Sequence, residues 1–197
     1  PRSVNKTPAE TRQRIIEGRQ LDGVMDVLSS MLRPAIIAPK GRTFVCGDWS
    51  AIEARVLPWL SDSSGGRDVL DVFASVDSDP GAPDIYMREA ASLFNIEPED
   101  VTKDQRAIGK VEVLALGYQG GYRAFQAMAR GYGINVEDDE AEDIKNVWRN
   151  NNQWAVDFWH EINAAAVNAV QYNVVSEAGR VSYYCEAEGK PLFCELP

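Results

Sequence analysis

Apolar residues recur at three- and four-residue spacing through most of this chain, and that period confines it to a largely helical fold. The clearest run covers 137–172, where Ile144, Val147, Trp148, Ala155, Phe158, Trp159 and Ile162 repeat at helical spacing around an interruption at Asn150, Asn151 and Asn152. Earlier, Leu21, Val24, Val27, Leu28, Met31 and Leu32 repeat in the same way until Pro34, which cannot continue a helix. Ile52, Val56 and Leu60 mark a helix opened by Ser50 and bent at Pro58, and further helices are expected over 68–76, 83–94 and 122–131. Thr102 followed by Gln105 is a capping box, so a helix is expected from there to about Leu116, closed by Gly117, Gly120 and Gly121. The β-prone stretches are short. Residues 43–48 read as a buried strand, and 180–186 with 192–196 read as two strands joined by a turn at Gly189.

A chain of 197 residues with 45% hydrophobic and 25% charged residues can bury one domain, or one domain and part of another. No apolar run approaches the ~18 residues that span a bilayer, and no signal-peptide pattern opens the chain. Cys46, Cys185 and Cys194 are odd in number and lack C-x-x-C spacing, which points to reduced thiols in a cell interior and away from zinc. The net charge of −10 suits a phosphate-bearing partner poorly, but it is unevenly spread. Residues 1–42 hold eight Lys/Arg against four Asp/Glu, residues 103–130 hold five against two, and residues 131–165 hold eight acids against two bases. Such segregation fits a protein with one anion-facing side, and equally fits ordinary acidic, solvated helices. The opening at Pro1 without an initiator Met, and the stop straight after a strand-like segment, create the expectation of a piece of a longer protein.

Asp48 falls where the expected strand meets a helix N-terminus, a position that suits a Mg²⁺ ligand and equally suits a helix cap. Glu53 completes the pattern Ser50-x-x-Glu53, which a capping box alone would explain. Farther on, Arg106 and Lys110 are four residues apart and share a helix face, with Lys103 one turn earlier. Their three- and four-residue neighbours on that helix include no acid, so the basic pair has no partner within the helix. A fork-shaped guanidinium and a point-like ammonium about 5.4 Å apart along the axis could grip adjacent phosphates. A solvated or tertiary-paired basic face is the bland alternative.

The string D-W-S-A-I-E-A-R over 48–55 closely resembles motif A of the family A, DNA polymerase I-like DNA polymerases. R-x-x-x-K followed by Tyr118, with Leu114 between, is similar to their motif B, and the two motifs come in the family's order, 58 residues apart from Asp48 to Arg106. The resemblance implies a bacteriophage-type internal segment of a template-directed polymerase that adds dNTPs to a primer 3′-end with two Mg²⁺ ions. By this resemblance Asp48 and Lys110 are catalytic, Asp48 is the metal ligand, and Glu53 excludes the ribose 2′-hydroxyl. Arg106 and Lys110 hold the triphosphate, Leu114 packs on the nucleotide, and Tyr118 stacks by the template base. Arg2, Arg55 and Tyr118 face primer–template DNA. Tyr86 stands where the family's D-I-H histidine contacts phosphate, and Leu114 where an aromatic residue is usual.

The implied fold is α+β and mostly helical: a partial palm over 1–60, helical fingers over 61–135, and helices with a hairpin over 136–197 returning toward the palm. The family's second metal-binding Asp, in a His-Asp-Glu hairpin, has no counterpart here, because the one histidine lies in Trp159-His160-Glu161 on a helix. The expected partners are therefore primer–template DNA, dNTPs and the remainder of the polymerase chain, with no membrane. The piece alone is expected to be nearly inactive, in the cytoplasm of a bacterial or phage-infected cell. Two other readings stay open: a single-subunit RNA polymerase-like piece, which would lack the gating Glu53, and a non-catalytic helical module using Trp148, Trp154 and Trp159 against a partner.

Overall fold

A computed structural model describes residues 8–18, 24–32, 35–187 and 189–197, so Arg2, Leu21 and Pro34 lie outside the described residues. The chain forms two compact units, 1–48 and 49–197. In the first, helix α1 (Pro8–Ile16) packs against α2 (Val24–Leu32), with Thr11 and Val27 buried. Residues 36–48 then run without helix or strand.

The strand expected over 43–48 is absent. No described strand pairs with this stretch, and Val45 is 95% exposed. The reason is physical: β-propensity alone cannot make a strand, whose N–H and C=O groups must be met by a neighbouring strand.

The second unit is built on α3 (Ile52–Ser61), α4 (Ser64–Ser78), α5 (Ile85–Phe94), α6 (Lys103–Leu116), α7 (Tyr122–Gly131), α8 (Asp138–Asn151) and α9 (Gln153–Tyr172). Strands β1 (Ser176–Ala178), β2 (Val181–Cys185) and β3 (Leu192–Glu195) follow as an antiparallel sheet in that order. The two strands expected near the C-terminus are β2 and β3; β1 is an addition, paired as Ala178↔Val181 across a two-residue turn. That turn is anchored by the Arg180 N–H, which donates to the Leu60 carbonyl at 2.8 Å and so satisfies an orphan acceptor at the end of α3.

One core joins α6, α7, α8 and α9 through Val111, Leu116, Phe125, Ile144, Trp148 and Ala155. A second seats α9 on the hairpin through Phe158, Ala165, Ala178 and Val181. Trp148 is buried, and Trp154 and Trp159 pack on the same core, with the Trp148 and Trp159 rings stacked 6.1 Å apart. All three tryptophans therefore hold the unit together, which removes the reason for reading them as a partner-binding face.

The expected break at 150–152 occurs at Asn152. Its buried amide donates to Trp148 O at 3.2 Å and to Glu89 Oε2 at 3.1 Å, and its Oδ1 accepts from Trp154 Nε1 at 3.2 Å. These side-chain bonds replace the helical ones lost where α8 gives way to α9.

Helix α6 starts at the expected capping box: the Gln105 N–H donates to Thr102 Oγ1 at 3.3 Å, and the Thr102 N–H donates to Gln105 Oε1 at 2.9 Å. Its middle lies against α5 at Gly109, where a Cβ would stand 2.1 Å from Tyr86 O and 2.9 Å from Ala90 N. Only a residue without a side chain allows this approach, and the approach brings Tyr86 beside the basic face of α6.

Candidate functional site

Arg106 and Lys110 project from α6 toward the start of α5. Asp84 is the N-cap of α5, its Oδ1 accepting from the Met87 N–H at 2.9 Å. Its Oδ2 accepts from Arg106 Nε at 3.0 Å and from Arg106 Nη2 at 2.5 Å. The acid that α6 itself does not offer its basic face is thus supplied from the start of another helix, so Arg106 is paired. The Arg106 guanidinium also sits 5.2 Å from the centre of the Tyr86 ring.

Lys110 is placed differently. Its ammonium lies 5.9 Å from the Tyr86 ring centre and 5.5 Å from that of Tyr132, and among the described residues it has no ion pair or hydrogen bond. Burial raises the Tyr86 phenol above its ordinary value; the Asp84 carboxylate adds to this and Arg106 opposes it. The ring is therefore a neutral hydroxyl at neutral pH and presents a face to both cations.

Glu53 does not cap α3. The helix starts one residue later than Ser50-x-x-Glu53 requires, with Ala51 as N-cap at φ 48° and no side-chain cap bond. The capping-box reading of Glu53 falls away, and its exposed carboxylate is left at the rim of a small cavity of ≈ 30 Å³ shared with Leu57, Glu89, Val113, Tyr118 and Trp148. Tyr118 stands 55% exposed beyond the end of α6, its hydroxyl pKa raised by burial and then by the Glu53 charge. Leu114 is half-buried on α6.

Arg55 has its fork engaged within the chain. Nη1 and Nη2 donate to the two Asp77 oxygens at 2.7 and 2.8 Å, Nε donates to Ser50 O at 3.1 Å, and the guanidinium lies 4.4 Å from the Phe73 ring centre. In this arrangement it ties the start of α3 to α4. Asp48 belongs to the first unit, where it is exposed, and Arg2 lies outside the described residues. The expected site residues brought together are thus Tyr86, Arg106 and Lys110 in direct contact, with Glu53 and Tyr118 on one cavity.

Sequence reasoning missed Glu89 and Glu112. Glu112 faces the core from α6 at 1% exposure, and its Oε2 has no hydrogen-bond partner among the described residues. Burial, then the Glu89 charge, pushes its carboxyl up to about 9. Burial pushes Glu89 to about 7 against the Asn152 hydrogen bond, which lowers it. A signal for Glu112 existed, since it is the lone charge in the apolar run from Val111 to Leu116. Tyr132 left no such signal, because its contact depends on the end of α7 returning to α6.

Comparison with known proteins agrees with the two motifs. The chain is 35% identical over 175 residues to the DNA polymerase of Bacillus phage SP02, covering 87% of this chain and 25% of that protein. It is 33% identical over 113 residues to DNA polymerase I of Chloroflexus aurantiacus, covering 57% of this chain and 10% of that protein. It is 31% identical over 110 residues to DNA polymerase I of Pseudomonas aeruginosa, covering 56% of this chain and 11% of that protein. The chain therefore spans about a quarter of the phage relative and about a tenth of the bacterial ones. The family model described as DNA polymerase family A matches residues 21–188, and on that match, with an α+β and mostly helical fold, the chain belongs to DNA polymerase family A.

Proposed function

We propose that this chain carries the triphosphate-gripping helix of a template-directed DNA polymerase, which adds dNTPs to a primer 3′-end. The observation that carries the reading is Lys110: a half-buried cation on α6, beside Arg106, that no acid neutralises among the described residues. Phosphate oxygens are the natural counter-charge for such a group. Arg106 serves the same ligand despite Asp84. A guanidinium has five N–H donors, and Asp84 takes two, leaving three (5 − 2) for phosphate while fixing the plane of the fork.

In this reading Lys110 and Arg106 offset charge that develops on the triphosphate. Glu53, free of any capping duty, crowds the position of a ribose 2′-hydroxyl. That freedom favours deoxyribonucleotides over the RNA polymerase-like alternative. Leu114 packs on the nucleotide, Tyr118 stacks by the template base, and Arg2 approaches DNA. Arg55 acts through Asp77, holding the α3 start that presents Glu53. Residues 1–60 form part of the palm, 61–135 the fingers, and 136–197 the return.

Among the described residues no three metal-ligating side chains converge. Asp48 offers one exposed carboxylate, which fits the single protein ligand that Mg²⁺ often takes alongside phosphates and water. When bound, Mg²⁺ supplies charge stabilisation at the reacting phosphate. The remaining ligands belong to the longer polymerase, without which the chain is nearly inactive.

Equilibrium titration of the chain with Mg²⁺–dATP tests the proposal. Lys110→Ala and Arg106→Ala should each weaken binding at least tenfold, and riboATP should bind more weakly than dATP. Equal binding by the wild type and both variants would sink it. In the full-length polymerase, Asp48→Ala should abolish primer extension.

A further inference from the structure

The ammonium of Lys110 lies over two phenol rings that come from different helices. Tyr86 belongs to the first turn of α5, and Tyr132 is the C-cap of α7. Tyr132 is held by a Schellman ending: the Ile134 N–H donates to Ala129 O at 3.0 Å, and the Gly133 N–H donates to Arg130 O at 3.1 Å. Gly133 takes φ 78°, a left-handed conformation that glycine adopts without strain. Ile134 packs on the core behind this ending, so Tyr132 is presented from a terminated helix and not from a free loop.

A lysine side chain with four rotatable carbons would otherwise sample many positions. Two ring faces 5.5 and 5.9 Å from its nitrogen restrict that sampling, and neither ring neutralises the charge. An acid in the same place would hold Lys110 equally well but would compete with phosphate. We infer that Tyr132 is a positioning residue for triphosphate binding, closing with Tyr86 an aromatic clamp that pre-orients the Lys110 ammonium while leaving its charge available. The inference builds on the triphosphate-gripping role of Lys110 proposed above, and it adds a residue from α7 to that role.

The two ideas can be tested apart in the intact chain. Reductive ¹³C-methylation keeps the charge of the six lysines (Lys6, Lys40, Lys103, Lys110, Lys145 and Lys190), and Lys110→Arg assigns the Lys110 signal by its disappearance. Ring currents should move the Lys110 dimethyl resonance away from those of exposed lysines. Tyr132→Leu should return it part of the way, and Tyr132→Phe should keep it shifted. Titration of the unmethylated proteins with Mg²⁺–dATP should show about two- to fivefold weaker binding for Tyr132→Leu. Tyr132→Phe should restore that loss, and Tyr132→Leu should cost nothing further when added to Lys110→Ala. An unshifted Lys110 resonance in the wild type, or an equal loss in the Lys110→Ala background, overturns the clamp. A shifted resonance in a chain that binds no dATP overturns the nucleotide reading instead, so the two failures are distinguishable.

Discussion

The two sides of α6 treat charge in opposite ways. Toward solvent, Arg106 and Lys110 are met by groups from other helices: a carboxylate from Asp84 for one, and the rings of Tyr86 and Tyr132 for the other. Toward the core, Glu112 carries a carboxyl oxygen with no hydrogen-bond partner among the described residues, and the charge of another carboxyl, Glu89, acts on it. A cation can be kept charged in a half-buried place by ring faces and one shared acid. A buried carboxyl beside a like group has no such help and stays protonated. One helix thus carries cations met by an acid and by ring faces on its outer side, and a protonated carboxyl on its packing side.

Gly109 should be where the contrast breaks most severely, since it sets how closely α5 approaches. Gly109→Val would put a Cβ 2.1 Å from Tyr86 O, with two further methyl groups beyond it. Urea unfolding should show a loss of about 3 kcal/mol, and dATP affinity should fall with it as Tyr86 leaves the two cations. Wild-type stability in this variant would mean that the close approach is dispensable.

Glu112→Gln tests the core side. Glu89 and Glu112 titrate near 7 and 9 in the folded chain against an ordinary 4.5. The folded state therefore holds protons that the unfolded state releases. Stability is complete below about 4.5 and declines as pH rises through 7 and then 9. Removing the ionisable group should raise stability at pH 9 by about 1–3 kcal/mol and flatten the decline above pH 7. A wild type equally stable at pH 5 and pH 9 would contradict the protonated pair.

Asp84→Ala acts on the solvent side, removing both the α5 cap and the Arg106 partner. A loss of about 1–2 kcal/mol in thermal unfolding is expected. Weaker discrimination between triphosphate and diphosphate should accompany it, because the guanidinium loses its fixed plane. Thr102→Ala is the smallest change and sharpens the contrast by touching neither side. It removes the two hydrogen bonds that the Thr102 hydroxyl makes with Gln105 and should cost about 0.5–1 kcal/mol with dATP affinity intact. A larger binding defect there than in Asp84→Ala would show that α6 stability, and not its side-chain arrangement, governs the site.

Helices were readable because their hydrogen bonds are local. The capping box at Thr102 and the asparagine interruption near 152 both occur where residue order places them. The stretch 43–48 also holds β-prone residues but has no partner strand among the described residues, and pairing is a property of two segments. The same division separates the site residues. Arg106 and Lys110 were visible as an acid-free basic pair on one helix, and Glu112 was missed although it left a signal as a lone charge in an apolar run. Asp84 and Tyr132 were not, since each reaches α6 from a different helix.

Residue order by itself determined most of the helices, the capping box of α6, the basic face of α6 and the family motifs, because each depends on neighbours within a few residues. Tertiary structure alone decided that Glu53 is free of a cap, that Arg55 is held by Asp77, and that Lys110 lies over both Tyr86 and Tyr132. Those outcomes turn on how close one helix comes to another. That distance is set at contacts such as Gly109, where the absence of a side chain matters only once the facing backbone is in place.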